Sequence, residues 1–246
     1  MLQLTNLSIG YNERYIIQNI NLSFEAGMIY SILGKNGSGK STLLKTCSGL
    51  IKPKTGTVLL KGIELDQYSH NDRAKTISYL SQSTNTPNIT VERLLAHARF
   101  PHLTYPKKLQ SNDVNIMQKS LNALKVADFA KHSLRQLSGG ERQRVYLAMQ
   151  LAQDAPIMLL DEPTTYLDIE HQLALMKLLQ ELKAQGKTII MVLHDIQQAL
   201  SYSDRIIAIN EGRVVDTGTP DEILNNNTLK KVFHVDVKRN EFQITL

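Results

Sequence analysis

GKNGSGKS, residues 34–41, satisfies G-x-x-x-x-G-K-[ST] through Gly34, Gly39, Lys40 and Ser41. Its surroundings supply the context that the pattern needs. The apolar run 28–33 reads as a buried strand that stops at a glycine, and 40–50 reads as a helix ended by Lys52 and Pro53. Between them, Gly34, Lys35, Asn36, Gly37, Ser38 and Gly39 form a loop whose glycines let backbone amides turn inward without side-chain clash. The helix start adds partial positive charge at the same point. Such a loop surrounds phosphate oxygens, with Lys40 directed at the outer phosphates and the Ser41 hydroxyl at a divalent cation. Thr42, next in the first helical turn, is counted with the phosphate-binding residues.

Working outward, the apolar runs 157–160 and 188–193 each end in polar residues and are separated by a helical pattern over 169–185. That arrangement implies parallel strands joined by crossover helices, with reactive residues at the carboxyl ends of the strands. The expected fold class is therefore α/β. Leu2, Leu4, Leu7 and Ile9, followed by the alternating segment 20–24, give the N-terminus a strand-rich character. Residues 83–137 have a different texture, with helical patterns over 90–99 and 112–125 and a loop marked by Pro101 and Pro106. They read as a helical lobe inserted into one domain spanning 1–246.

A chain of 246 residues with 42% hydrophobic residues can bury a substantial core. The single cysteine, Cys47, excludes an intrachain disulfide, and its helical spacing with Leu43, Leu44 and Leu50 reads as a small buried apolar side chain. The thiol-poor composition and the lack of a basic, apolar leader lead to the expectation of a cytosolic protein. No stretch approaches the roughly 20 apolar residues that cross a bilayer. The net charge of +5 is scattered, with short clusters only at Lys107–Lys108, Lys230–Lys231 and Lys238–Arg239. A solvated surface accounts for it, and nucleic acid is not expected as a partner.

Two further runs carry chemistry. IMLLDE (157–162) delivers Asp161 and Glu162 to a strand end, where adjacent carboxylates are costly unless they meet a cation or accept a proton. Asp161 suits a metal shell, and Glu162 suits a base for an attacking water. LSGGERQ (137–143) places Ser138, Gly139 and Gly140 before a helical pattern over 141–152, where a hydroxyl and free amides face outward toward an anion. A plain N-cap followed by a flexible glycine pair is the simpler reading of that run taken alone.

The order and spacing of GKNGSGKS, LSGGERQ and IMLLDE resemble the ATP-binding subunit of an ABC transporter, over nearly the whole chain. The resemblance implies a P-loop NTPase fold: a RecA-like parallel core, an N-terminal antiparallel β region and an inserted α-helical subdomain. It implies ATP hydrolysis with Mg²⁺ as cofactor, the metal held at Ser41, Gln82 and Asp161, and Glu162, His194 and Lys40 as the catalytic set. Tyr11 resembles the aromatic that stacks on adenine. Gln82 resembles the glutamine that touches the metal and hinges the lobe, and His194 the histidine that contacts the γ-phosphate and positions Glu162. Asp168, in PTTYLD (163–168), resembles the aspartate of the loop that communicates between subunits. The LSGGERQ run of such subunits closes over ATP bound to the opposite copy, which implies a homodimer with ATP at the interface.

DEPTTYLDIEHQ (161–172), ARFPH (98–102), LHDIQQA (193–199) and GTPDEIL (218–224) resemble the branch that energises uptake of ferric siderophores, haem and cobalamin. Lys35 stands where proline is usual, and Phe100 where tyrosine is common; neither has an assigned chemical role. The resemblance implies an importer ATPase, first for an iron chelate such as a ferric siderophore, with haem or cobalamin as alternatives. Its partners would be two integral-membrane permease subunits and, indirectly, an extracytoplasmic binding protein, with the chain peripheral on the cytoplasmic face of the cell membrane. A non-transport ABC ATPase predicts nucleic acid or soluble partners; the chain has no second ATPase half and no long coiled coil. A switch with negligible turnover is disfavoured because both Glu162 and His194 are present.

Overall fold

The computed structural model describes residues 1–82 and 86–235. Residues 83–85, which open the expected helical lobe, and Lys238–Arg239 lie outside the described residues. In chain order the elements are β1 (Leu2–Tyr11), β2 (Arg14–Phe24), β3 (Ile29–Gly34), α1 (Lys40–Cys47), β4 (Thr55–Leu60), β5 (Ile63–Glu64), α2 (His70–Thr76), β6 (Ile77–Leu80), α3 (Val91–Arg99) and α4 (Ser111–Ala123). They continue as α5 (Gly139–Gln153), β7 (Ile157–Asp161), α6 (Ile169–Ala184), β8 (Thr188–Val192), α7 (Ile196–Tyr202), β9 (Arg205–Asn210), β10 (Arg213–Gly218), α8 (Pro220–Asn225) and α9 (Thr228–Phe233).

The strands form two sheets. One is antiparallel, in the order β2-β1-β4-β5; the other runs β10-β9-β3-β8-β7-β6. Within the second sheet β9, β3, β8, β7 and β6 are parallel neighbours, and β10 adds antiparallel at one edge. Both faces of this sheet are covered, so its central strands read as continuous apolar runs. Strand geometry then sorts alternate residues to opposite faces. Ile29 and Leu33 of β3 join a core with α5 and α6, whereas Tyr30 and Ile32 join a second core shared with the antiparallel sheet.

Helix α1 lies in that second core through Leu43, Leu44 and Cys47, all fully buried. Burial pushes the Cys47 thiol up to about 12, so it packs as an apolar group and stays protonated at neutral pH. The helix is shorter than the sequence pattern over 40–50 suggests. Gly49 takes φ +74 and closes the end, with Gly49 N–H donating to Thr46 O and Leu50 N–H to Lys45 O. Leu50 is therefore outside the helix and 65% exposed, not part of the buried face with Cys47.

The alternation Leu2, Leu4, then Leu7, Ile9 changes phase inside β1. A register irregularity between Leu4 and Leu7, with Asn6 at φ +47, moves the inward set from even to odd positions. Between β6 and β7 the chain leaves the sheet and forms α3, α4 and α5, which pack on one another through Val91, Leu95, Met117, Leu121 and Val145. Among the described residues no helix is long and apolar enough to cross a membrane.

Candidate active site

The loop 34–39 leaves β3 at its carboxyl end, as parallel-sheet geometry requires. Two of its glycines have no substitute. A Cβ on Gly34 would lie 2.3 Å from Ile209 O and 2.6 Å from Ser38 Oγ, because β9 passes directly beside it. Gly39 has φ +100, and a Cβ there would come within 2.8 Å of Ile17 on β2. The hairpin of β1 and β2 thus lies over the loop, and Tyr11, half exposed, stands at its tip opposite Arg14.

Three features suit the loop to an anion. The first turn of α1 has no side-chain cap, so its leading amides are left for another acceptor. Ser38 Oγ is buried with no hydrogen-bond partner among the described residues. The Lys40 ammonium folds back onto the loop, donating to Gly34 O at 2.8 Å and Lys35 O at 3.0 Å. Burial pushes its pKa down, and the nearby Glu162 and Asp161 carboxylates counteract part of that shift. A phosphate would meet all three needs. Lys35, Asn36 and Gly37 form the exposed outer tip of the loop, and Ser41 and Thr42 are half-buried in the first turn of α1.

The end of β7 faces this loop. Ser41 Oγ donates to Asp161 Oδ1 at 3.0 Å, and the Tyr79 hydroxyl donates to Asp161 Oδ2 at 3.3 Å. Burial raises the Asp161 pKa and the Glu162 charge adds to it, while the Ser41 hydroxyl opposes. A carboxylate in this position gains from a small hard cation. Among the described residues no cluster of three or more His, Cys, Asp and Glu could hold a metal. A cation here would need ligand oxygens from a bound phosphate as well.

Glu162 is the most constrained acid of the group. It occupies φ +53, a conformation costing about 1–3 kcal/mol for a residue with a side chain and found where surroundings over-determine it. Its N–H donates to Val192 O at 3.2 Å. Its carboxylate accepts from Gln82 Nε2 at 2.7 Å and from Thr165 Oγ1 at 3.3 Å, and lies 2.5 Å from His194 Nε2. The fold thus brings residues 34–42, Gln82, Asp161, Glu162 and His194 together from the ends of β3, β6, β7 and β8. His194 stays half exposed, whereas the Glu162 side chain beside it is largely buried.

Ser138, Gly139, Gly140 and Asp168 form a second patch. Ser138 caps α5 in a reciprocal box with Glu141: its Oγ accepts from Glu141 N–H at 3.3 Å, and Glu141 Oε2 accepts from Ser138 N–H at 2.8 Å. Gly140 abuts the turn 163–168, since a Cβ there would lie 3.0 Å from Tyr166 O. Tyr166 is 72% exposed at φ +67. Asp168 caps α6 by accepting from His171 N–H at 2.9 Å; that contact and the His171 ring hold its carboxyl below the usual range. The simple N-cap reading of Ser138 is thus correct locally, yet the cap leaves the residue exposed at the start of a fifteen-residue helix.

Tyr79 and Thr165 are contacts that sequence reasoning missed. Tyr79 reads as one more apolar position of a strand, and only the pairing of β6 beside β7 puts its hydroxyl on Asp161. A depression of about 500 Å³ lined by Gln18, Asn19, Asn21 and Arg213 includes none of residues 34–42.

Residues 17–165 match the family described as ABC transporter. The chain is 42% identical, over 94% of its length and 87% of the relative's, to the iron(3+)-hydroxamate import ATP-binding protein FhuC of Bacillus subtilis (strain 168). It is 40% identical, over 92% of its length and 84% of the relative's, to the ferric enterobactin transport ATP-binding protein FepC of Escherichia coli (strain K12). Its backbone superposes on the dimeric structure of MJ0796, a bacterial ABC transporter cassette, with a TM-score of 0.81 and 31% identity, covering 89% of this chain and 99% of that one.

Proposed function

We propose, on the premise that this chain belongs to the ABC transporter family, that it is the ATP-hydrolysing subunit of an importer for an iron chelate of the ferric siderophore class. The observation that carries the reading is the Glu162 carboxylate. It is gripped by Gln82 and His194 beside a buried lysine and an uncapped helix start, which together suit the γ-phosphate of a nucleotide. Two relatives that handle chemically different chelates are nearly equally similar, so the proposal names the chelate class and no particular siderophore. Haem and cobalamin are the alternatives within the branch.

The loop amides of 34–39 and Lys40 bind the β- and γ-phosphates, Lys40 exchanging its two carbonyl partners for phosphate oxygens. Mg²⁺, whose oxygen donors on this chain would be Ser41, Asp161 and Gln82, supplies charge neutralisation at the phosphates when bound. Tyr11 offers a ring face to adenine. Glu162 orients water and takes its proton; the proton ends on a carboxylate already sharing hydrogen bonds with Gln82 and Thr165. His194, 2.5 Å from Glu162 and half exposed, fixes that carboxylate and reaches the γ-phosphate.

A second copy completes the site. Ser138, Gly139 and Gly140 of one protomer offer an exposed helix start to the ATP of its partner, with Asp168 and Tyr166 beside them, so two ATPs lie between two subunits. The homodimer docks on two permease subunits at the cytoplasmic face of the membrane, and an extracytoplasmic protein delivers the chelate. The lobe 83–137, a subdomain inserted in the 1–246 domain, passes the closing motion to the permeases, with Gln82 as its hinge. No nucleic acid is involved.

Replacing Glu162 with Gln tests the reading. The variant keeps ATP affinity, measured with a fluorescent analogue, and loses turnover by more than about 100-fold. Near-normal hydrolysis in the variant would remove Glu162 from the role of base.

A further inference from the structure

The turn after Glu162 is held by glutamine amides from two helices, and a third helix holds one of those amides. From α5, Gln143 Nε2 donates to Pro163 O at 3.1 Å. From the first turn of α6, Gln172 Nε2 donates to Leu167 O at 2.9 Å and Thr164 O at 3.4 Å. From α7, Gln198 Nε2 donates to Gln172 Oε1 at 2.8 Å. The turn closes on the acid itself, because Thr165 donates its N–H to Glu162 O at 3.2 Å and its hydroxyl to Glu162 Oε2 at 3.3 Å.

Helix α7 begins directly after His194. Its cap, Asp195, accepts the N–H groups of Gln197 and Gln198 at 2.8 and 3.1 Å, which locks Gln198 to the backbone carrying the histidine. His194 and Glu162 are therefore joined twice: by their 2.5 Å contact, and by the route from Gln198 through Gln172 to the turn 163–168. The second route depends on one amide facing another. A pair of apolar side chains would fill that space without leaving Gln198 Oε1 buried and unpartnered among the described residues.

We propose that Gln172 and Gln198 are positioning residues for hydrolysis. Resting on the assignment of Glu162 as the base, they tie the exposed turn bearing Tyr166 and Asp168 to the helix behind His194. Glu162 and His194 then come into register only when the turn is in place. A partner subunit pressing on Tyr166 and Asp168 acts on both ends of the pair at once.

The test uses the full chain and compares Gln172→Ala, Gln198→Leu, their combination and Glu162→Gln for ATP turnover and analogue binding. Gln198→Leu preserves side-chain volume, so it remains informative if Gln172→Ala fails to fold. Each single change lowers kcat about tenfold with KM for ATP within about twofold, and the combination is no slower than the slower single, because the two amides act in series. A kcat equal to that of the wild type in both single variants, with Glu162→Gln inactive, would overturn the inference. So would losses that multiply in the combined variant. Turnover retained by Glu162→Gln removes the premise instead, so the two failures are distinguishable.

Discussion

Gly39 and Lys40 show how much of the site is fixed residue by residue. Gly39→Ala must fit a side chain at φ +100 and 2.8 Å from Ile17, so the loop shifts and ATP binding, followed by analogue fluorescence, weakens by more than about tenfold. Lys40→Ala removes a buried ammonium facing Asp161 and Glu162 and weakens binding further, without lowering the melting temperature of the apo protein. These residues were legible in the sequence because the chemistry lies in contiguous runs. Tyr79 on Asp161 and Gln198 on Gln172 were not, since their partners are 82 and 26 positions away and meet only after strands pair and helices pack. Ser138 was half legible: its place before a helix announced a cap, and nothing in the run itself says which molecule its exposed face meets.

Among the elements, α3 and α4 hold together through a buried ion pair. Arg99 Nε donates to Asp113 Oδ1 at 2.9 Å, Arg99 Nη1 donates to Ala152 O at 2.9 Å, and His102 Nε2 lies 2.8 Å from Gln153 O, so ARFPH ties both helices to the end of α5. Burial raises the Asp113 pKa, but the Gln110 N–H and the Arg99 guanidinium more than offset it, leaving the carboxyl below its ordinary value. A depressed carboxyl stabilises above the unfolded pKa and loses that contribution as pH falls through the folded one. Asp113→Asn therefore lowers the melting temperature clearly at pH 7, and the gap to wild type narrows below about pH 4. A gap unchanged down to pH 3 would show that the pair adds nothing through its charge. The sequence placed α3 to α6 within two residues because their apolar periodicity is strong. It overran α1, where Gly49 ends the helix before its apolar pattern stops. The helices α8 and α9, six residues each, are too short for a helical period to show.

At the scale of the whole molecule, one copy carries the loop 34–39 facing Glu162 and, on a separate patch, the exposed Ser138 that caps α5. The chain belongs to the ABC transporter family and superposes on a dimeric cassette, and we propose that a second copy meets that patch. Ser138→Arg introduces a bulky cation at this surface. The expected outcome by light scattering is that the Glu162→Gln chain shifts from monomer to dimer on adding ATP, and that the double variant stays monomeric while still binding nucleotide. If hydrolysis at Glu162 drives chelate import, uptake of radiolabelled iron depends on that carboxylate. Cells lacking the gene are offered different ferric siderophores and haem, and complemented with wild type or Glu162→Gln. The expected result is loss of uptake for one siderophore class, restored by wild type and not by the variant. Uptake of every chelate unchanged by the deletion, with no second ATPase substituting, would contradict it.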